Sequence, residues 1–346
     1  MAEQIGEWVA LARKAFVDLL DRELALGYRE TEARLSENSY DGSITFDPHI
    51  LTLVIQELLT NGTVVRVEEP TRGGTAPVTI EPTNRHRRAT RIDQASSRKR
   101  LLIARYNAWS TGDASHHGII GPAGENSVRL ALAQANGIAP LMPGAGEVRE
   151  LMGVRLDGAL DSAAYLVVHD DRGVPQVITL MFEVKNIRSW IYPTSPELYQ
   201  LLSKAVRVQQ ANPTAPMVPV LVCRRAHRTL MYMAKDLGFF VIETKRQPIG
   251  PTIDPNERTF LEVRNELMFT DLVPGLDAEP VVLRRIPKLP TYASTGAEIW
   301  RATSLHTDMA REITTARRNT RSTQNVPHRD RLEELAVAAG RRGAWR

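Results

Sequence analysis

The stretch LDSAAYLVVHDDRGVPQVITLMFEVK, residues 160–185, decides how the rest of the chain is read. It holds two apolar runs rich in β-branched and aromatic residues, separated by DDRGVPQ. That pattern predicts two strands joined by a turn, with His169-Asp170-Asp171 supplying turn chemistry. Side chains alternate along a strand. Thr179, Met181, Glu183 and Lys185 therefore share one face of the second strand, and Asp161, Ala163, Tyr165 and Val167 one face of the first. A hairpin centred near Arg172 sets Asp161 opposite Glu183. Two carboxylates and an ammonium then converge at one end of a sheet.

Neighbouring carboxylates repel, and burial raises that cost. A divalent cation removes it. Mg²⁺ takes oxygen donors from one or two carboxylates, a carbonyl, water and phosphate. Asp161, Glu183 and the backbone carbonyl of Val184 can supply the protein's share. Lys185 then stands where it can hold a phosphate oxygen or help to generate hydroxide. These are the parts of metal-assisted phosphodiester hydrolysis. Glu125 sits at helical spacing from Val128 and Leu132, on an apolar stripe. A charge there needs water or a cation, and the same site offers one.

Outward from the hairpin, helices and strands alternate. GPAGENSVRLALAQANG, residues 121–137, reads as a helix closed by Asn136-Gly137, and VRELMGVRL, residues 148–156, as a short strand. After the hairpin, Ser195 is a cap for a helix with Pro196 in its first turn. VPVLVC, residues 218–223, is an apolar strand; the next helix ends at Gly238, and FFVIE, residues 239–243, is a further strand. Strand, helix, strand, helix, strand calls for partly parallel pairing.

With these pieces in place, residues 121–243 resemble the PD-(D/E)xK nuclease superfamily, the restriction-endonuclease-like fold. The helix with Glu125, the Asp161 strand, the Glu183-Val184-Lys185 strand end and the following helix and strand carry the resemblance. It covers about a third of the chain. It implies an α/β fold with an αβββαβ core and a mixed sheet. It also implies cleavage of DNA, more rarely RNA, with Mg²⁺ or Mn²⁺. In that scheme Asp161 and Glu183 hold metal, Lys185 is catalytic and Glu125 is the helix acid. Leu160 stands where the family has proline before its aspartate, which leaves Asp157 as an alternative, although an Asp-Gly turn suits Asp157 better. A second E-x-K, Glu243-Thr244-Lys245, also ends a strand but has no acid-bearing strand before it.

The flanks read less sharply. A helical stripe runs from Trp8 to Leu20, Asp47 and Pro48 open a second helix that Asn61-Gly62 ends, and TVVRVEE and APVTIEP flank the turn Thr71-Arg72-Gly73-Gly74. Helices followed by a hairpin resemble a winged helix, so residues 1–82 are expected to form a small α+β winged-helix-like domain. Residues 83–115 are expected as a basic linker and helix, 116–245 as the nuclease-like core, 246–313 as an extension and 314–346 as a basic, mobile tail.

Charge is clustered. Residues 85–105 hold eight Lys/Arg against one acid, and residues 301–346 ten Arg against five acids, more than the whole chain's net +4. Clustered positive charge suits a polyanion, and double-stranded DNA is the expected partner. Arg98, Lys99 and Arg100, the helix face Gln200, Lys204 and Arg207, and the loop residue Arg188 are its candidate contacts, with Trp190 able to stack on a base. A duplex cutter with one site per chain is suited to a homodimer.

Other chemistries find no footing. Cys223 is the one cysteine, and no Cys/His set has zinc spacing. His116-His117 has no third ligand. G-x-S-x-G, P-loop and dinucleotide signatures are missing. No apolar run spans a bilayer, and the first residues do not read as a secretion signal, so a cytoplasmic protein is expected. The expected activity is that of an endonuclease in restriction, defence or repair. A non-cutting DNA-binding or scaffold protein and an RNA nuclease are the alternatives.

Overall fold

The hairpin forms, and its register is the expected one. The computed structural model describes residues 2–39, 42–71, 74–112, 117–141, 146–169, 173–275 and 277–345. His116, Asp170, Asp171, Arg172 and the Arg72-Gly73 part of the first turn lie outside them. The chain divides into two units, residues 1–119 with 252–272, and residues 120–251 with 273–346.

In the first unit α1 (Ala2–Glu23), α2 (Tyr28–Glu32), α3 (Pro48–Thr60), β1 (Val64–Glu68), β2 (Val78–Pro82) and α4 (Ala89–Thr111) follow in order. The Asp47 carboxylate accepts from the His49 backbone N–H at 2.8 Å, the N-cap that the sequence implies for α3. β1 and β2 pair antiparallel, with Arg66 opposite Ile80. Phe16 and Leu19 of α1, Leu51 and Val54 of α3, and Ile80 of β2 make the core.

The basic stretch is mostly α4, a helix and not a linker, and two of its cations, Lys99 and Arg100, are buried. The Lys99 ammonium is buried and donates to Glu30 at 2.5 Å and to Glu23 at 3.0 Å. The Arg100 guanidinium donates to Glu69 at 2.6 Å and to the Ser96 hydroxyl at 2.5 Å. These two residues are therefore not the surface phosphate contacts that the sequence suggests. The three glutamates lie 31 to 76 positions away, where no local pattern reveals them.

In the second unit come α5 (Ile120–Gln134), β3 (Ile138–Pro140), β4 (Val148–Leu151), β5 (Val154–Leu160), β6 (Ser162–His169), β7 (Pro175–Lys185), α6 (Pro196–Ala211), β8 (Met217–Cys223), α7 (Arg228–Leu237), β9 (Phe240–Glu243) and β10 (Gln247–Ile249). A mixed five-stranded sheet has the order β3-β6-β7-β8-β9. β3, β6 and β7 pair antiparallel, whereas β7, β8 and β9 pair parallel. The expected single strand over 148–156 is instead the two-stranded ribbon β4-β5 outside this sheet. Alternate residues of β7 and β8 go to opposite layers. Met181, Leu221 and Cys223 pack toward α6 and α7, and Leu180, Phe182, Val220 and Val222 toward α5. Burial on both faces explains the unbroken apolar run of β8. Ser195 precedes α6, but its hydroxyl accepts from the Tyr192 N–H at 2.8 Å and does not cap the helix.

The chain then returns to the first unit as α8 (Arg258–Glu266). Its acids complete the neutralisation of α4: Arg98 holds Glu266 through two hydrogen bonds of 2.6 and 3.1 Å, and Arg105 donates to Glu262 at 2.9 Å. Arg98, too, is engaged and does not stand free for a phosphate. β11 (Leu272–Pro274), α9 (Pro280–Arg285), α10 (Pro290–Leu305), α11 (Thr307–Ala316) and α12 (Val326–Ala338) follow. The expected mobile tail is thus helical and packed. Met309, Ile313, Leu332 and Ala336 join the α6 and α7 layer. Trp345 is fully buried, and its indole N–H donates to Asp236 at 2.9 Å. No helix among the described residues is long and apolar enough to cross a membrane.

Glu30 accepts from Lys99, from Arg34 at 2.9 Å and from the Gly27 N–H at 3.2 Å, while burial pushes its pKa up. Lys99→Ala is expected to destabilise the protein by about 3–5 kcal/mol in urea denaturation, because it strips a buried carboxylate of a partner. Adding Glu30→Gln should recover more than half of that loss. If Lys99→Ala costs under about 0.5 kcal/mol, the pair carries no structural weight.

Candidate active site

The β6-β7 ladder sets Ser162 opposite Phe182, so one step further Asp161 faces Glu183. Asp161 occupies the bend before β6, and its Oδ2 accepts from the Val184 backbone N–H at 2.5 Å. A strand residue's C=O leaves on the same side as its N–H. The neighbouring Lys185 C=O accepts from the Arg224 N–H of the β8 side, so the Val184 carbonyl points the other way, toward Asp161.

Glu183 is only 3% exposed, yet it is fully partnered. Its Oε1 accepts from Lys185 Nζ at 2.8 Å and its Oε2 from Lys204 Nζ, also at 2.8 Å. Lys185 and Glu183 are two apart on one strand face, which makes the first contact local. Lys204 comes from α6 and also donates to the Ala159 carbonyl at 2.6 Å. One turn earlier on the same helix, Gln200 Oε1 accepts from Lys185 Nζ at 3.0 Å. Helix α6 therefore fixes both lysines relative to Glu183.

Helix α5 closes the site from another side. A side chain at Gly124 would put its Cβ 2.4 Å from Asn186 Cβ, so only glycine permits this approach to the end of β7. Asn186 locks the contact by donating to the Ile120 and Pro248 carbonyls at 2.6 and 2.7 Å. Glu125, next along α5, lies 3.6 Å from Arg129. Arg129 in turn donates to the Asp161 carbonyl at 3.4 Å.

The electrostatics follow from this crowding. Burial, then the charge of Glu183, pushes the Asp161 pKa up to about 7; the Val184 N–H and Lys185 pull the other way. Burial also raises Glu125, against Arg129 and Lys185, with Glu147 and Glu183 adding repulsion. Among the described residues, no three His, Cys, Asp or Glu side chains encircle a point where a metal ion could sit. Glu183 is turned onto its lysines and Asp161 onto a backbone amide.

The remaining candidates divide. Asp157 is exposed and ion-paired with Arg207. Arg188 is buried and donates to Gln247 Oε1 at 3.1 Å, so it does not face a phosphate. Trp190 lies under the Arg225 guanidinium, 5.7 Å from its ring centre, as a loop anchor. Glu243 accepts from the Ala226 N–H at 3.3 Å and lies 3.7 Å from Lys245. Lys204 takes a different place from the expected phosphate contact, since its ammonium is spent on Glu183. Its sequence signal was available: a cation between Leu201, Ala205 and Val208 on the buried side of a helix, the same kind of mark that singles out Glu125. Arg129 and Glu147 carried no such mark.

No protein family, curated protein or solved structure matches the chain.

Asp161 sets a pH test. Its folded-state pKa lies above the ordinary value near 4, so between about pH 4 and 7 the folded protein holds a proton that the unfolded chain releases. Its stabilising share is complete below about pH 4 and is lost as pH rises through about 7. Asp161→Asn is expected to be more stable than the parent by about 1–3 kcal/mol at pH 8 in EDTA, with the gap closing toward pH 4. A gap that does not change with pH would sink the assignment of a buried, strained acid.

Proposed function

We propose that the second unit is a Mg²⁺- or Mn²⁺-dependent nuclease that hydrolyses DNA phosphodiester bonds. The observation that carries this reading is the meeting of Asp161 and Glu183 at one sheet end beside Lys185. Element order supports it. α5, β3, β6, β7, α6 and β8 follow one another in the αβββαβ sequence of the PD-(D/E)xK nucleases, with β4-β5 as an addition.

The donor set suits a hard cation. Asp161 is a half-buried acid short of positive charge, as its raised pKa expresses. Asp161, Glu183 and the Val184 carbonyl offer oxygen donors only, which Mg²⁺ and Mn²⁺ accept. Glu183 joins them by giving up a lysine contact. When bound, such a cation polarises a phosphate and makes an attacking water more acidic. Lys185, oriented by Gln200, donates to a phosphate oxygen and offsets the charge that attack creates. Lys204 keeps Glu183 directed from the α6 side. Glu125, steadied by Arg129, orients water by accepting its proton in a hydrogen bond.

Double-stranded DNA is the preferred substrate in this reading, in restriction, defence or repair, and cutting both strands calls for two copies of the chain. The helix, helix, hairpin order of α1, α3 and β1-β2 supports a winged-helix-like DNA-binding role for the first unit. One observation favours a second reading, a nucleic-acid-binding protein that does not cut: both Glu183 oxygens are held by lysines.

Incubation with plasmid, single-stranded DNA and RNA, with and without Mg²⁺ or Mn²⁺, separates these. The parent is expected to cut DNA only with metal, and Asp161→Asn, Glu183→Gln and Lys185→Ala to lose about 10²-fold or more in rate. Metal-independent cutting, or Lys185→Ala equal to the parent, would falsify the nuclease reading. Preferential cutting of RNA would replace the substrate.

A further inference from the structure

Helix α6 carries more than the acidic site uses. Gln200, Lys204, Arg207 and Gln210 fall at i, i+4, i+7 and i+10, which is one stripe along the helix. Gln200 and Lys204 are bound up with Lys185 and Glu183. The stripe then continues out of the site into a cleft of about 560 Å³. Arg207, Gln210, Ser203, Thr314, Arg317 and Arg318 line it, and Lys204 lines it as well.

The charge of this cleft is one-sided. Among the described residues Asp157 is the only acid in its wall, and Arg207 answers it. Glu183 answers Lys204. Arg317 and Arg318 follow directly on α11 and are exposed, and among the described residues neither makes an ion pair. This contrasts with Arg98, Lys99 and Arg100, whose charges are matched by glutamates. Serine, threonine and glutamine between the arginines add uncharged hydrogen-bonding groups suited to phosphate oxygens. From Gln200 to Gln210 the helix rises about 15 Å, a span that covers more than one phosphate of a nucleic-acid strand.

We propose that the cleft between α6 and α11 is the track for the sugar-phosphate backbone of the strand that enters the Glu183 site, with Arg317 and Arg318 as its phosphate contacts. This rests on the reading of that site as acting on nucleic acid. It assigns the binding to two arginines just after α11, in the segment that the sequence alone marks as a tail, and not to the basic stretch in α4.

The test is salt-dependent binding of the full chain to fluorescein-labelled duplex and single-stranded DNA in EDTA, read by anisotropy. Without metal no cutting intervenes. Arg317→Ala/Arg318→Ala is expected to bind at least about tenfold more weakly and to lose about two units from the slope of log K against log salt. Arg331→Ala, on α12 and paired with Glu334, serves as the control and should leave both unchanged. Thermal melts confirm that each variant is folded. Equal slopes for the double variant and the parent overturn the track, as does no binding of DNA by the parent. Binding to vesicles rich in phosphatidylserine, lost in the double variant while DNA binding is kept, overturns it in favour of a membrane surface. A protein that binds DNA through these arginines yet never cuts leaves the track standing and removes the nuclease reading. A protein that cuts, with an unchanged slope, does the reverse.

Discussion

Two carboxylates, Glu183 buried and Asp161 half-buried, face each other at the end of β6 and β7, and much of the site is arranged around their repulsion. Asp161 answers it by resting on the Val184 N–H and by holding its proton up to about pH 7. Glu183 answers it with two ammonium groups, one from its own strand and one from α6. The close approach of α5 at Gly124 brings a third acid, Glu125, and its own cation, Arg129. Each acid has a compensating group within reach, and these groups come from β7, α6 and α5. Loss of one element would leave a charge uncompensated in a poorly hydrated place, which is costly. The site is thus a reason for the layers to assemble in one way.

The same arrangement bears on chemistry. A carboxylate held by two lysines is pre-formed but not idle. On the proposed reading, exchange of one lysine for a cation would cost one ion pair and gain another, so occupation of the site would not need to disturb the sheet. Lys185 would then stay tethered to Gln200. That is the form of preorganisation on which electrostatic catalysis depends.

Alternation along β7 made Glu183 and Lys185 legible as neighbours on one face, and the hairpin's symmetry made Asp161 legible as their partner. Both rest on local geometry that sequence spacing encodes. The parallel addition of β8 was legible because a strand buried on both sides must be apolar throughout. What escaped was compensation over distance. The cations of α4 look like a solvated basic stretch until Glu23, Glu30, Glu69 and Glu266 arrive from up to 168 positions away. The arginines after residue 300 likewise draw attention from Met309 and Ile313, one helical turn apart, and from Leu332 and Trp345, each buried in the α6 and α7 layer. The β4-β5 ribbon escaped for a smaller reason, since Met152-Gly153 supplies a tight turn inside what reads as one strand.

The return of the chain to the first unit at α8 has a consequence for how this protein can be divided. Neither unit is encoded by an uninterrupted stretch: the path runs from the first to the second, back to the first and out again. A stop codon after residue 251 removes α8 from one unit and α9 to α12 from the other in a single event. Arg98 and Arg105 then lose Glu266 and Glu262, while the sheet loses its cover from α10 and α6 its cover from α11. Recombination that exchanges whole modules needs clean boundaries, and here a crossover point at residue 119 or 120 carries away only part of what it interrupts. The two units are therefore constrained to be inherited together.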